Sequence, residues 1–217
     1  MLGLYIGIIL LLNIPYVQHR MSVLVAKELS TVLGSELTVG RINIGLLNRI
    51  IIDDLVLNDQ SGKELLKIGR LSAKFEILPL FSGKISIGNV QLFSFNANLE
   101  RPTPQASTNF QFVLDAFASK DTVKKKSNLD LRINSLLIRR GKVSYDVLSA
   151  ESTPGKFNPQ HIRLSNILAN ISLKALQNDS VNAAIKRMSV EEEHSGFELK
   201  KLSLKIIANN RKMRIEN

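Results

Sequence analysis

The sequence predicts a mainly β protein in which an N-terminal transmembrane helix and an amphipathic helix precede a curled, elongated antiparallel sheet. The first observation is a series of runs rich in Ile, Val and Leu, in which apolar and polar residues alternate as in half-buried strands. The second is that the alternation changes phase at residues 40–41, 53–54 and 69–70. Because a shift of one residue turns side chains to the other face, such changes indicate a bulge, a bend or a strand buried on both sides. We therefore expect a sheet that twists or curls.

The composition excludes cysteine chemistry and leaves several kinds of partner open. The 217 residues include no cysteine, which excludes a disulfide framework, a thiol nucleophile and a thiolate metal site. The formal net charge of +10 suits nucleic acid, anionic lipid or simple solubility, and does not choose among them. The length allows one or two domains. Residues 210–217 resemble the start of another strand, so we expect this chain to be part of a longer protein.

Residues 2–17 are the most apolar stretch and contain no charge and one strongly polar residue, Asn13. As a helix they would span about 24 Å, slightly less than a hydrocarbon core of about 30 Å. We interpret residues 1–18 as a single-pass transmembrane anchor; a cleaved signal peptide and a buried helix are the alternatives. The residues expected to face lipid are Leu4, Ile8, Leu11 and Ile14. The first basic residues follow this stretch, so local charge leaves the membrane orientation open.

Residues 19–34 predict an amphipathic helix. Its apolar residues have helical spacing and are Met21, Val25, Leu29, Val32 and Leu33. Gly34 follows the last of them, as is typical of a helix end. Such a helix caps the open end of the sheet or lies on a membrane surface, and the two interpretations are compatible.

The remainder divides into three segments. Residues 35–101 form a first β-sheet segment, and residues 102–128 form a loop that contains a short helix near residues 109–118. Residues 129–217 form a second β-sheet segment, truncated at its C-terminal end, whose layout weakly repeats the first. Within it, residues 139–141 predict a turn between two strands.

Motifs for catalysis and metal binding are missing from the sequence. The three histidines do not stand at metal-ligand spacing from one another. Three Glu residues precede His194, and Ser195 and Gly196 follow it, which predicts an exposed hairpin turn. Neither a phosphate-binding loop, a nucleophile elbow nor a zincin motif is present. The lysines at 124–126 predict a solvated loop, or a contact with anionic lipid or protein. We therefore predict no enzyme activity, no cofactor, no metal and no nucleic-acid partner.

Apolar residues on one face of a curled sheet need a partner that covers them. In a small closed domain they cover one another, whereas in an open groove they need lipid, and the residues alone leave both possibilities open. The candidates for a lipid-lining groove are Val39, Ile50, Ile52, Leu66, Ile68, Ile85, Ile87, Leu131 and Ile133. The alternation does not determine which phase of each strand faces such a groove.

Several stretches share apolar spacing that is punctuated by Gly and Asp. They include IPYVQ at 14–18, LG at 33–34, LTVGRINI at 37–44, IDDLVLND at 52–59, Gly62 with LL at 65–66, IGNVQL at 87–92, FNPQHI at 157–162 and EHSGFEL at 193–199. As a set they resemble the N-terminal region of the AsmA/TamB family of bacterial envelope proteins, in particular the long forms of Bacteroidetes. The resemblance covers nearly the whole chain, and the motifs are specific as a set rather than one by one.

This resemblance implies a single inner-membrane anchor, with the bulk of the chain in the periplasm. It implies a long curled β-groove related to the chorein-type lipid bridges, with membrane phospholipids as partners. The implied function is cell-envelope biogenesis by carriage of phospholipid toward the outer membrane. The alternative is assembly and translocation of outer-membrane proteins together with a barrel partner. Family members usually have a basic stretch before the anchor and a much longer C-terminal region.

Overall fold

The structure is a computed structural model that describes residues 2–45, 48–76, 85–117, 129–130, 134–177, 180–209 and 213–216. Three α-helices lie within these ranges: α1 is Leu2–Leu12, α2 is Pro15–Leu33 and α3 is Gln111–Phe117. The ten strands β1 to β10 are, in chain order, Leu37–Gly45, Arg49–Asn58, Glu64–Glu76, Ile85–Arg101, Leu129–Asp130, Ser135–Val147, His161–Gln177, Ser180–Glu192, Phe197–Asn209 and Met213–Glu216. The prediction of a mainly β protein is therefore confirmed.

All the described strands belong to one sheet, and the sheet is not closed. Nine of them follow the order β1-β2-β3-β4-β6-β7-β8-β9-β10, while β5 pairs with β4 outside this path. Neighbours along the path are antiparallel except for β4 and β6. The two predicted β-sheet segments thus lie side by side in a single sheet.

The predicted antiparallel arrangement is wrong between β4 and β6, which run parallel. Asn89 lies opposite Ser135 at one end, and Arg101 lies opposite Val147 at the other. Parallel neighbours require a crossover, because the chain must return to the level at which the first strand began. The described part of the connection between β4 and β6 includes α3 and β5, and the parallel pair makes the sheet mixed.

The predicted transmembrane helix over residues 1–18 is not found. Helix α1 ends at Leu12, and α2 begins at Pro15 after a break at Asn13 and Ile14. Proline lacks a backbone N–H and restricts the residue before it to extended conformations, and Ile14 accordingly has φ −64° and ψ 130°. Among the described residues, no helix is long and apolar enough to cross a membrane.

The helix predicted over residues 19–34 is confirmed as α2, although it begins earlier. Gly34 ends it in the left-handed conformation with φ 64°, where glycine has no steric penalty. Leu29 and Leu33 face the sheet and pack in the core, as their spacing predicts. Val32, which was placed on the same apolar face, is instead 56% exposed.

Polar side chains at the N-terminus occupy the free edge of β1. The Asn13 amide donates a hydrogen bond to the Ile44 carbonyl oxygen at 2.8 Å. The Ser30 hydroxyl donates to the Leu37 carbonyl oxygen at 3.2 Å and accepts from the Leu37 N–H at 2.9 Å. Unpaired backbone groups at a sheet edge are a template for another strand. These contacts therefore block strand pairing at both ends of β1.

A line of left-handed backbone conformations crosses the sheet where the alternation changes phase, and we call this line the crease. Asp54 in β2, Ser94 in β4 and Arg140 in β6 have φ values of 55°, 54° and 56°, and Asn166 in β7 has 50°. Residues on either side of the crease remain paired from β1 to β6. From β1 to β6, each strand thus has one additional residue at the same level, which changes the face of the following side chains without changing the register. At β7 the register shifts beside Asn166.

Glycines of β1 and β3 lie opposite crease residues of the neighbouring strands. A Cβ atom on Gly40 would lie 3.0 Å from the Cβ atom of Asp54, and one on Gly69 would lie 3.2 Å from the Cβ atom of Ser94. Glycine permits this close approach because it has no side chain. The phase changes predicted at these positions are confirmed. The turn predicted at residues 139–141 is wrong, because the crease lies there within the continuous strand β6.

The main hydrophobic core lies on one face of the sheet, beneath α2 and α3. Its buried residues are Leu33, Leu37, Leu55, Leu57, Leu65 and Ile68. Helix α2 adds Ala26 and Leu29, and α3 adds Phe112 and Val113. The short helix predicted near residues 109–118 is therefore confirmed, and together with α2 it covers one end of this face.

Stability should depend on the contact between Phe95 and Gly141. The Phe95 ring lies over Gly141, where an added Cβ atom would overlap the ring. We expect Gly141→Ala to lower the free energy of unfolding by about 1–3 kcal/mol, because Phe95 packs against the core and cannot move freely. Gly88→Ala is the control, since its nearest atom would lie 3.6 Å away. Urea denaturation measures both variants, and equal losses would contradict the contact.

Candidate functional site

Two rows of apolar side chains run across the strands on the face that carries the core. In the first row, opposed residues from β1 to β9 are Ile42, Ile52, Leu71, Leu92, Ile138, Ala169, Met188 and Leu202. The second row, in the same order, is Ile44, Ile50, Ala73, Val90, Leu136, Ile171, Ile185 and Leu204. Opposed residues of paired strands point to the same face, so each row is continuous. We call the two rows the apolar band.

The apolar band is long and incompletely covered. It crosses eight strands, and at the usual strand spacing of about 4.8 Å it is roughly 34 Å long. Ile42 and Ala169 are buried, whereas the other residues of the band are half-buried. Half-burial is expected where neighbours in the sheet cover the sides of a side chain and, among the residues that the structure describes, no second layer covers its top.

The band is continuous with the core across the crease. Ile52, Leu71 and Leu92 of the first row pack against core residues that lie on the other side of the crease. Regular alternation would have turned these two groups to opposite faces of the sheet. The crease therefore produces one apolar surface, covered by helices at the core end and open along the band.

The opposite face of the sheet carries a chain of polar contacts. The Gln18 amide donates to Asn43 Oδ1 at 2.6 Å, and the Asn43 amide donates to Asp53 Oδ2 at 3.4 Å. Arg70 Nε donates to Asp53 Oδ1 at 2.6 Å. These contacts join α2 to the first three strands. The sheet thus has one apolar and one polar face near the N-terminus.

Five of the predicted groove residues have described side chains, and the structure places all five on the apolar face. Ile50 and Ile52 belong to the apolar band. Ile68 is part of the buried core, and Val39 and Leu66 pack against that core. Ile50 therefore lies on the open part of the face, Ile52 lies where the band meets the core, and the other three lie at the covered end.

Four predicted groove residues remain predictions. Ile85 and Ile87 lie in β4, but the directions of their side chains are not described. Leu131 and Ile133 lie outside the described residues, as does the lysine run at 124–126.

The predicted anchor residues lie in or just after α1. Leu4 and Ile8 are within the helix, and their side chains are not described. Leu11 is 57% exposed near the end of α1, and Ile14 is 47% exposed in the break before α2. The described part of the predicted anchor therefore presents apolar side chains outward.

Sequence reasoning missed much of the apolar band. Leu92, Leu136, Ile138, Ala169 and Ile171 were not among the groove candidates. In β6 the residues 136–138 are all apolar, so the sequence pattern does not show which of them point to the apolar face of the sheet. The missing information is the register, because cross-strand pairing decides which apolar residues stand in one row.

A histidine outside the band fixes the loop after β6. His161 Nδ1 lies 2.9 Å from Asp146 Oδ1, and His161 Nε2 lies 3.0 Å from the Ala150 carbonyl oxygen. Arg163 Nη2 also contacts Asp146, at 2.7 Å. The hydrogen bond to Asp146 is the main reason that the pKa of His161 is raised. A protonated ring donates to both acceptors, so this cluster joins the loop to β6 and β7.

The hairpin turn predicted around His194 is confirmed between β8 and β9. The Glu192 side chain is 2% exposed and accepts hydrogen bonds from the Ser195 hydroxyl at 2.5 Å and the Ser195 N–H at 2.8 Å. Weaker bonds come from the N–H groups of Arg163 and His194. Burial alone would raise the pKa of Glu192, but these donors lower it to about 2. In the described part of the chain, no acidic or histidine cluster has the form of a metal site.

The apolar band is the strongest candidate for a functional site, because it is a long, regular apolar surface that the described part of the chain leaves only half-buried. It has the form of a binding surface for an extended apolar partner. The chain matches no protein-family model and no curated protein.

Stability should also depend on Glu192 in a pH-dependent manner. Its pKa falls from 4.5 to about 2 on folding, so its contribution is complete above pH 4.5 and is lost as the pH falls toward 2. We expect Glu192→Gln to lower the free energy of unfolding by about 2 kcal/mol at pH 7, because an amide nitrogen replaces an oxygen that accepts. At pH 3 the loss should be smaller.

Urea denaturation at both pH values measures this effect. Glu193→Gln is the matched control, since Glu193 is the exposed neighbour in the same turn and should change stability by less than about 0.5 kcal/mol. An equal loss for Glu192→Gln at pH 3 and pH 7 would show that the carboxylate charge does not matter.

Proposed function

We propose that the protein is an inner-membrane-anchored periplasmic protein of cell-envelope biogenesis that carries phospholipid toward the outer membrane along an apolar β-groove. The observation that carries this proposal is the apolar band, two unbroken apolar rows across eight strands of an open sheet. A contiguous apolar surface that stays only half-buried suits an apolar partner that covers the rest of it.

Acyl chains fit the band in size and in chemistry. One leaflet of a bilayer has a hydrocarbon thickness of about 15 Å, half of the roughly 30 Å core. The band is longer than this at roughly 34 Å, so a whole acyl chain can lie along it. Each methylene group removed from water contributes about 0.8 kcal/mol. The phosphate headgroup stays in water at the margin of the band.

The N-terminal helix supports the membrane setting. Helix α1 has eleven residues without a charge, and Leu10 and Leu11 are 67% and 57% exposed. Its length of about 16 Å is comparable to the thickness of one leaflet. Exposed apolar residues, with Arg20 and Lys27 following in α2, suit association with an anionic membrane. The resemblance to the AsmA/TamB family supports an inner-membrane location with the sheet in the periplasm.

Crosslinking at two neighbouring positions of β6 tests the lipid groove. A photoreactive amino acid at Leu136, on the apolar band, should crosslink to phospholipid in cells. At Leu137, whose partners on the opposite face are Gln91 and Asn170, it should not. Both residues are half-buried in the same strand, so they differ mainly in the face they occupy. Mass spectrometry of the purified protein identifies the attached lipid.

The adjacent positions Ile52 and Ile51 of β2 provide a second matched pair, again on opposite faces. Equal labelling within both pairs, or labelling confined to residues 2–17, would count against a lipid groove.

Vesicle flotation tests the role of α1. Leu10→Asp combined with Leu11→Asp should weaken binding to phospholipid vesicles by about tenfold or more, because a carboxylate is costly in the apolar part of a membrane. Phe197→Asp is the control, since Phe197 is equally exposed, at 58%, but lies in the β8–β9 hairpin. Unchanged flotation of the α1 variant would contradict a membrane-associated α1.

A second candidate is assembly of outer-membrane proteins with a barrel partner, and the edge of β10 favours it. Met213–Glu216 pairs with β9, and no other described strand pairs with it. Extended chains add to such an edge through backbone hydrogen bonds. The crosslinking experiment separates the two candidates. Protein crosslinks without lipid at Leu136, in a folded chain, would favour assembly.

A further inference from the structure

A cleft of about 470 Å³ lies beside the crease on the face opposite to the apolar band. The residues that line it are Phe93, Arg139, Arg140, Asn166, Leu168 and Ser189. They come from four neighbouring strands, β4, β6, β7 and β8. The cleft combines an apolar floor with two cationic side chains.

The register and the crease bring these residues together. Phe93 lies opposite Arg139, and Leu168 lies opposite Ser189, in the phase that points away from the band. Successive residues of a strand normally point to opposite faces. Arg140 departs from this rule because its φ is 56°, and both arginines line the same cleft.

The two guanidinium groups have no charged partner in the described part of the chain. Both side chains are exposed, and neither forms an ion pair or a hydrogen bond with another described residue. Glu191 lies near the cleft, where its carboxylate accepts a hydrogen bond from the Asn166 amide at 2.6 Å. Its single negative charge offsets only part of the positive charge of the two arginines. Two neighbouring positive charges repel each other, and an anion between them removes that repulsion.

We propose that this cleft binds a phosphate monoester that has an apolar or aromatic body. The planar guanidinium groups of Arg139 and Arg140 match the oxygen atoms of a phosphate, and the Ser189 hydroxyl supplies a further donor. Phe93 and Leu168 offer apolar surface to the organic part of the ligand. The site lies on the face opposite to the band, so it does not depend on lipid carriage.

Titration calorimetry of the full chain with phenyl phosphate at low salt tests the proposal. Arg139→Gln combined with Arg140→Gln should weaken binding by about tenfold or more, because hydrogen bonds between charged groups are the strong ones. Lys67→Gln combined with Lys74→Gln is the control, since it removes the same charge from two exposed lysines of β3. This control should change the affinity by less than about twofold, because salt screens distant exposed charges. Circular dichroism confirms that each variant is folded.

Two further measurements test whether the apolar residues contribute to binding and whether the bound phosphate belongs to a small molecule or to a lipid headgroup. Inorganic phosphate should bind more weakly than phenyl phosphate, and Phe93→Ala should remove most of that difference. Absence of phenyl phosphate binding, or an equal loss in the lysine control, would overturn the proposal. Binding to phosphatidylglycerol vesicles that requires the two arginines, without arginine-dependent binding of phenyl phosphate, would also overturn it and indicate a membrane contact instead.

Discussion

The structure depends on the crease, at which each strand from β1 to β6 has one additional residue at the same level. In a regular strand, the apolar residues before Asp54 and after it would point to opposite faces. The left-handed conformation at that position, and the glycine opposite it in β1, return both groups to one face. The core beneath the helices and the open apolar band therefore form one continuous surface. The crease also turns the side chains of Arg139 and Arg140, which are consecutive in β6, to the same polar face of the sheet, where both line the cleft.

The N-terminal helices close one edge and one end of this surface. Asn13 and Ser30 hydrogen bond to the free backbone groups of β1, and Leu29 and Leu33 cover the core. Beyond α2 and α3, the band continues across strands to β9 with half-buried side chains. In a packed core the whole apolar surface is covered, whereas here helices cover the core end and leave the band half-buried. This difference is the physical basis of the proposed lipid carriage.

Local pattern predicted the kind of fold and several of its details. The strand-like runs, the helix ending at Gly34 and the hairpin near His194 followed from residue type and spacing. The predicted continuous anchor failed because Pro15 begins a new helix. The antiparallel arrangement predicted for β4 and β6 is wrong, because the two strands run parallel. The crossover that makes them neighbours lies outside both strands, so the residue pattern of the strands does not reveal it. Ile50 and Ile52 were predicted as groove residues and lie on the apolar band, whereas Ala169 of the band was not predicted, because a small side chain adds little to an apolar pattern.

By itself, the sequence determined that the chain forms strands, where their alternation changes phase, and which residues are apolar. These properties are local, since they depend on side-chain chemistry and on the conformations that glycine and proline allow. The tertiary structure decided which strands are neighbours, which apolar residues stand in one row, and which end of the face the helices cover. These properties are not local, because they depend on pairing between residues far apart in the chain, and a shift of one residue in that pairing would turn every row to the other face.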